Sequence, residues 1–205
     1  MTAMEHINQI ARDMRAYLSE ASSKSEKKFI GVMHPIVPQE VLFAACLHPV
    51  RLFPFPGEQT NMAHAHLHVY TSSIFRAIWD QVLKGRFSFL DGVVLPESCE
   101  TVTYFPRGWQ YHRKNDFVAT MAGVRFNKTK NALIFFRDDL KNLKKELEEF
   151  TGREIFEEAL SYAIDVYNRN RELLGKICGL MKQERPPLTG VDIFNVFMVS
   201  HVMDK

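Results

Sequence analysis

Residues 70–100 read YTSSIFRAIWDQVLKGRFSFLDGVVLPESCE, and this stretch decides the predicted fold. The spacing of apolar residues predicts a helix over residues 73–83, which Gly85 closes. Residues 90–95 predict a buried strand that ends at Pro96, and Cys99 then stands where another helix begins. A helix followed by a buried strand is the repeating unit of a parallel sheet.

The alternation of strand and helix extends to both sides of this stretch. Strands are predicted at residues 28–33, 50–55, 90–95 and 117–121. Such alternation is typical of right-handed βαβ units, so we predict an α/β fold with a four-stranded parallel sheet flanked by helices. Ligands of such sheets bind beyond the C-terminal ends of the strands, and the sequence puts His34, Cys99 and the loop at residues 54–60 on that edge.

Helices are also predicted before and after the sheet. An amphipathic helix is expected over residues 4–19, followed by a polar linker at residues 21–28. After residue 131 the apolar periodicity is helical, and the sequence TGRE at residues 151–154 is typical of a capping box that restarts a helix running to about residue 182. The predicted divisions are an N-terminal helix and linker (1–27), an α/β domain (28–130) and a helical C-terminal extension (131–205).

A last helix is predicted after Thr189, which can cap it. We expect this helix to pack on the preceding long helices or on another chain. Its apolar face comprises Ile193, Phe194, Phe197 and Met198. Left uncovered, such a face would form an exposed apolar patch, so association with a second copy or a partner is expected.

Composition narrows the class of protein. The 205 residues are 46% hydrophobic and 24% charged, with a net charge of +2. This balance is typical of soluble globular proteins and gives no argument for nucleic-acid binding. No apolar run reaches the roughly 18 to 20 residues of a membrane span, and three cysteines make no disulfide framework. We therefore expect a cytoplasmic protein.

Cys99 is the first candidate for chemistry. The dipole and the free N–H groups of a helix start would stabilise its thiolate, which could be a metal ligand, a nucleophile or simply inert. The plainer interpretation is a small, partly buried residue. Cys46 and Cys178 lie in apolar stretches and are expected to be packed in the core.

Two further groups of side chains are candidates for binding. His64, His66 and His68 would share one face of an extended strand and could bind zinc or copper, although a polar loop is the simpler interpretation. Arg51, Arg76 and the run at residues 107–113 combine arginines with aromatic side chains, which suits phosphates and an adenine ring, against the alternative of a solvated surface.

Six segments, taken in order, resemble the 2-hydroxyacyl-CoA dehydratase and benzoyl-CoA reductase subunits. They are IGVMHPIVPQEVLFAACLHPVRL (30–52), YTSSIFRA (70–77), LKGRFSFLDGVVLPESCETV (83–102), LEEFTGREIFEEAL (147–160), YNRNRELL (167–174) and PPLTGVDIF (186–194). The resemblance implies a subunit of an oxygen-sensitive iron–sulfur enzyme that pairs with a second family subunit. It also implies an ATP-hydrolysing activator that delivers a low-potential electron, and an acyl-CoA thioester that is dehydrated or reduced.

The resemblance also assigns candidate site residues. Cys99 matches a cysteine that ligates the family's [4Fe–4S] cluster, whereas Ser72 stands where the family has another ligand cysteine. A third ligand is expected in a second α/β domain that lies beyond the half of a family subunit that this chain resembles. His34 and Arg76, at the same edge of the sheet, are candidates for substrate binding. Because serine is a harder ligand than cysteine, the resemblance implies an incomplete cluster site in this chain alone.

Three hypotheses about function follow. The chain is a component of a catalytic complex that obtains the second domain from elsewhere, or a non-catalytic paralogue that acts as an interaction module. The third hypothesis is a mononuclear metal protein that uses His64, His66 and His68.

Overall fold

A computed structural model describes residues 2–97, 100–122 and 129–205, without the side chains of residues 100 and 101. Its sheet has four strands: β1 (Phe29–Val32), β2 (His48–Arg51), β3 (Gly92–Pro96) and β4 (Phe117–Met121). All three strand pairs are parallel, and the spatial order is β2-β1-β3-β4. The predicted four-stranded parallel sheet is confirmed.

Helices cover both faces of the sheet. The structure places them in chain order at α1 (Ala3–Arg12), α2 (Met14–Lys24), α3 (Gln39–Ala44), α4 (Ser73–Leu83), α5 (Glu100–His112), α6 (Lys130–Thr151), α7 (Glu157–Leu180) and α8 (Gly190–Ser200). One buried cluster joins Phe29 and Val93 to α2, α4 and α5. A second joins Ile30 and Val94 to α3 and α6. Successive strand residues therefore face opposite layers, as expected for a sheet that is buried on both sides.

The strand order creates a switch point between β1 and β3. From β1 the chain crosses through α3 to β2 on one side, and from β2 it returns through α4 to β3 on the other side. In open parallel sheets the two loops that leave the switch-point strands diverge and form a crevice at the carboxyl edge. His34 follows β1 at this edge, and the segment that contains Cys99 follows β3.

The N-terminal region contains two helices where one was predicted. Asp13, with φ −139° and ψ 71°, interrupts the helical backbone, and its carboxylate accepts a hydrogen bond from the backbone N–H of Ala16 at 2.9 Å. This cap begins α2, which continues to Lys24 and so includes half of the stretch that was predicted as a linker. An aspartate at this position satisfies a free N–H group at a helix start, which favours a new start over an unbroken helix.

The predicted capping box at residues 151–154 is wrong. Thr151 ends α6, and Gly152 adopts the left-handed conformation with φ 67°. The Thr151 hydroxyl donates to the carbonyl of Leu147 at 2.8 Å, so it serves the end of a helix and not a start. The predicted cap at Thr189 is confirmed, since its side chain and that of Asp192 form a reciprocal capping box.

The last helix packs within the chain. Helix α8 contacts α1 and α7, and its Asn195 side chain donates to Asn8 of α1 at 2.9 Å. Val196 and Val199 are buried, whereas Phe194 remains 62% exposed. Of the preceding long helices, α7 packs against only part of α8. Most of the packing on α8 comes from α1, which the sequence did not indicate.

Two of the cysteines are not in the core as predicted. Cys46 is exposed in the turn before β2, where it has a positive φ of 57°, and Cys178 is exposed on α7. Apolar neighbours in the sequence do not bury a residue when the backbone turns its side chain outward. The helical face at Cys178 is likewise directed away from the two core clusters.

Candidate functional site at the carboxyl edge of the sheet

Ser72 lies at the N-terminus of α4, on the carboxyl edge of the sheet. A crossover helix runs antiparallel to the strands it connects, so its N-terminus lies at the edge where the strands end. The carbonyl of Ser72 accepts a hydrogen bond from the N–H of Arg76 at 3.0 Å, but its side chain forms no capping bond. Ser72 is exposed, and its hydroxyl does not cap the helix.

Helix α5 begins beside α4 at the same edge. The ring of Phe75 lies 6.1 Å from that of Phe105, and the ring of Trp79 lies 5.0 Å from the same Phe105 ring. Helices α4 and α5 therefore pack side by side. Cys99 belongs to the segment between β3 and α5 and lies outside the described residues, so its predicted role as a cluster ligand stays a prediction.

A buried carboxylate holds the loop that leads to Ser72. Asp80 of α4 is 1% exposed, and its Oδ1 accepts hydrogen bonds from the backbone N–H groups of Asn61, Met62 and Ala63 at 2.9, 2.6 and 3.0 Å. Its Oδ2 forms an ion pair with Lys84 at 2.5 Å. Burial alone would raise the pKa of Asp80, but Lys84 and the N–H groups outweigh burial and lower it.

Gln81, the next residue of α4, holds an earlier part of the same loop. Its side-chain carbonyl accepts from the N–H of Phe55 at 2.8 Å, and its amide donates to the carbonyl of Phe55 at 2.7 Å. Neither Asp80 nor Gln81 was among the residues predicted to be functional. The sequence does contain an indication of their role. Asp80 and Gln81 are adjacent polar residues within the apolar run IWDQV of a core helix, and buried polar side chains need hydrogen-bond partners.

His34 lies half-buried after β1, and Arg51 ends the neighbouring strand β2. The Nδ1 atom of His34 accepts a hydrogen bond from the backbone N–H of Ile36 at 3.2 Å. Burial, and next the charge of Arg51, lower the pKa of His34. Arg76 is half-buried in the first turn of α4, one turn from Ser72. Ser72 and Arg76 thus share a helix start, while His34 and Arg51 form a second group at the same edge.

The three histidines of the loop are not on an extended strand. Residues Ala63–Ala65 form a single 3₁₀ turn, and His64, His66 and His68 are all exposed. The ring of His66 lies 5.3 Å from that of His112 on α5, and the ring of His68 lies 5.0 Å from that of Tyr70. The extended geometry behind the predicted metal site is therefore wrong, because the Asp80 contacts bend this segment.

Two members of the arginine and aromatic run at residues 107–113, Trp109 and Arg113, have structural roles, whereas Tyr111 is 74% exposed. Trp109 is fully buried, and its Nε1 donates to Asp116 at 2.9 Å, so it offers no face to an adenine ring. Arg113 donates to the carbonyl of Phe87 at 3.0 Å and to that of Leu90 at 2.7 Å. These bonds fix the turn before β3 and leave the Arg113 guanidinium occupied.

The described residues do not form a complete cluster site. An iron–sulfur cluster of four irons is held mainly by thiolates, and residue 72, the predicted ligand position among the described residues, is a serine. Among residues 2–97, 100–122 and 129–205, no three His, Cys, Asp or Glu side chains are grouped so as to hold a metal ion. The described part of this chain alone therefore does not fit such a cluster.

The four-stranded parallel sheet with helices on both faces makes this an α/β protein, a class in which ligands bind at the carboxyl edge of the sheet. The sequence profile of the 2-hydroxyglutaryl-CoA dehydratase, D-component family matches residues 36–205. This match covers most of the chain, and the chain belongs to that family. The family expected from the six segments is confirmed.

Individual relatives agree with this assignment. A benzoyl-CoA reductase subunit of Thauera aromatica is 26% identical over 82% of this chain and 44% of its own length. The (R)-2-hydroxyglutaryl-CoA dehydratase beta subunit of Acidaminococcus fermentans is 25% identical over 90% of this chain and 48% of its own length. The (R)-phenyllactyl-CoA dehydratase beta subunit of Clostridium sporogenes is 21% identical over 96% of this chain and 52% of its own length.

The chain spans about half the length of the curated relatives that it matches. Among the described residues, no helix is both long enough and apolar enough to cross a membrane.

Proposed function

We propose that this chain is a component of a 2-hydroxyacyl-CoA dehydratase or benzoyl-CoA reductase system and contributes one wall of its acyl-CoA and iron–sulfur site. The family match over residues 36–205 is the observation that carries the proposal. The position of Ser72 at the carboxyl edge, beside the start of α5, supports it. The remaining ligands and the opposite wall come from a second family subunit or from a C-terminal α/β domain.

In this proposal the chain's own residues bind and position. The cluster, when bound in the complete system, supplies one-electron chemistry for an acyl-CoA thioester. The loop at residues 53–63, anchored by Asp80 and Gln81, sets the entry to the site. In the same proposal Arg76, one turn into α4, and His34, after β1, contact a substrate that enters the crevice. By itself the chain is expected to bind acyl-CoA weakly, because a single wall buries little of such a ligand.

A non-catalytic paralogue is the second candidate function, and Ser72 favours it. A serine at a family cysteine position replaces a soft thiolate with a hard, weakly acidic hydroxyl, which lowers affinity for iron. In this alternative the chain keeps the fold and the pairing surface and acts as an interaction module in the cytoplasm.

Anaerobic affinity purification of the tagged chain from its native host tests both candidates. The component hypothesis expects a second family subunit in the eluate, together with iron and acid-labile sulfide, and an activator ATPase that restores turnover of a 2-hydroxyacyl-CoA. A family subunit without iron or sulfide would support the interaction module. Absence of any family subunit, together with absence of iron and sulfide, under mild, oxygen-free conditions would contradict both.

A further inference from the structure

A cavity of about 310 Å³ lies beside the end of β2, between α3, α7 and the residues after α8. This volume is at the lower end of the range for small-ligand pockets. The charged and titratable side chains that line it are Glu40, Arg51, Tyr167, Arg171, His201 and Lys205.

Positive charge exceeds negative charge in this cavity. Among the side chains of the described lining, Arg51, Arg171 and Lys205 provide three cations, whereas Glu40 provides the single carboxylate. Glu40 is already engaged, because it forms an ion pair with Arg171 between α3 and α7. The positive charges of Arg51 and Lys205 are therefore not balanced by the described lining.

Arg51 is the central group of the cavity. Its backbone N–H donates to the carbonyl of His201 at 3.1 Å, which fixes the main chain at the end of β2. Its side chain is partly buried, and burial lowers its pKa. No carboxylate of the described residues forms an ion pair with its guanidinium. A partly buried guanidinium without an acidic partner interacts more strongly with a bound anion than a fully exposed one does.

Asp204 acts on Lys205 from outside the lining and raises its pKa against burial, but this carboxylate is paired with Lys27 at 2.5 Å. The pKa values of His201 and His34 are both lowered. Burial is the larger cause, and the positive charge of Arg51 is the next. Both imidazoles are therefore neutral near pH 7. Burial lowers the pKa of Lys205 to about 8, and its Nζ donates to the carbonyl of Ser200. The described lining thus offers donors and cations to a ligand, with Glu40 already paired.

We infer that this cavity is a binding site for an oxyanion, a phosphate or a carboxylate group, held by Arg51 with Lys205 and His201 beside it. The planar guanidinium binds such groups through two parallel hydrogen bonds, which a lysine alone does not provide. The inference does not depend on the proposed function, since it concerns the charge and shape of this cavity and involves no iron.

The wild-type protein provides the first test. The pKa values of His201 and His34 are measured by NMR with inorganic phosphate and, at matched ionic strength, with chloride. A bound phosphate offsets the charge of Arg51, so both pKa values are expected to rise in phosphate relative to chloride. Equal values in the two salts would overturn the inference.

Variants provide the second test, with titration calorimetry against inorganic phosphate, acetate and coenzyme A. We expect Arg51→Gln to weaken binding at least tenfold and Arg51→Lys to weaken it less. Arg153→Gln is the matched control. Arg153 is exposed and lies close to Phe150 in the sequence. The ring of Phe150 stacks at 4.4 Å on that of Phe117, so Arg153 is at the opposite edge of the sheet from Arg51. It should bind as the wild type does.

The three probes distinguish the sources of the oxyanion. Binding of phosphate and coenzyme A without acetate indicates a phosphoryl group, and binding of acetate alone indicates a carboxylate. Unchanged affinity in Arg51→Gln, or no binding of any probe to the wild type, overturns the inference. If Arg51→Gln does not fold, the NMR titration of the wild type decides. Loss of the proposed iron–sulfur function would leave these results unaffected.

Discussion

The carboxylate of Asp80 lies 2.6 Å from the backbone nitrogen of Met62, although 18 positions separate the two residues. This hydrogen bond ties the loop before Ser72 to the helix that Ser72 begins. The N-terminus of α4 and the loop that reaches it are therefore positioned by the same helix. A ligand site at the start of α4 therefore depends on that buried carboxylate.

Asp80→Asn should lower the free energy of unfolding by roughly 2–3 kcal/mol, because it removes the charge that Lys84 and three N–H groups stabilise. Denaturant unfolding followed by circular dichroism measures this. Asp138→Asn, on the exposed face of α6, is the control and should change stability by less than about 0.5 kcal/mol. Equal effects of the two substitutions would contradict the assigned role of Asp80.

The effect of Asp80→Asn should also depend on pH. Because the pKa of Asp80 is lowered in the folded state, its contribution is complete above about pH 4, the usual range of an unfolded aspartate. It is lost as the pH falls through the lower folded-state value. The difference between wild type and variant should therefore narrow on acidification below about pH 4, and a constant difference would contradict this.

Periodicity and alternation in the sequence were enough to predict the sheet, because buried strands and crossover helices have strong local patterns. The path of the loop at residues 53–72 was not predictable in this way. It depends on Asp80 and Gln81, which act over distances of 18 and 26 residues in the sequence. The same long-range hydrogen bonds explain why His64, His66 and His68 do not lie on one face of an extended strand. The turn at Cys46 and the end of α6 at Gly152 depend on positive φ values, which apolar patterning does not reveal.

Gly108→Ala should destabilise the contact between α4 and α5. A Cβ atom at residue 108 would lie 2.5 and 2.7 Å from two ring carbons of Trp79, and that ring is buried and rigid. We expect a net loss of about 1–3 kcal/mol, since overpacking outweighs the gain in helix propensity. Gly179→Ala on α7 is the control: it meets no atom within 4 Å and should be neutral or stabilising. Thermal unfolding of both variants checks this, and a stabilised Gly108→Ala would contradict it.

His48 should make the protein less stable as the pH falls from 7 to 5. Its ring is buried, and Nε2 lies 2.7 Å from the carbonyl oxygen of Val202. Burial lowers the pKa of His48 despite the opposing effects of the Val202 carbonyl and of Asp204. The unfolded chain therefore takes up a proton near pH 6.5 that the folded chain does not, which favours unfolding at lower pH.

Removing this imidazole tests the prediction. His48→Gln should flatten the slope of unfolding free energy against pH between 5 and 7, although His34 and His201 keep part of it. His6→Gln is the control, since His6 is exposed on α1 and should leave the slope unchanged. An identical slope in wild type and His48→Gln would contradict the assignment.

Ser72 should limit the iron content of the isolated chain. Purified without oxygen and reconstituted with iron and sulfide, the chain should hold far fewer than about four irons. Ser72→Cys should raise iron retention, because it adds a soft thiolate at the exposed start of α4. Ser73→Cys, one residue further on, is the control. Close to four irons in the wild type, or equal gains in both variants, would count against a ligand position at residue 72.

The exposed side of α8 should mediate association. Phe194 is 62% exposed and lies beside a cavity of about 500 Å³ that also includes Phe53, Phe55 and Met198. Burial of such a face against another protein surface is favourable, so we expect the isolated chain to self-associate at high concentration. Phe197, another residue of the predicted apolar face, is already half-buried in the structure, so Phe194 is the better position to change.

Phe194→Glu should shift the protein toward monomer without changing its circular dichroism, because Phe194 contributes little to the core. Phe156→Glu is a matched control: Phe156 is 58% exposed, but it precedes α7 at a different part of the surface. Light scattering over a range of concentrations measures both variants. A wild type that stays monomeric at high concentration, or equal dissociation by both substitutions, would show that the exposed side of α8 is not an interface.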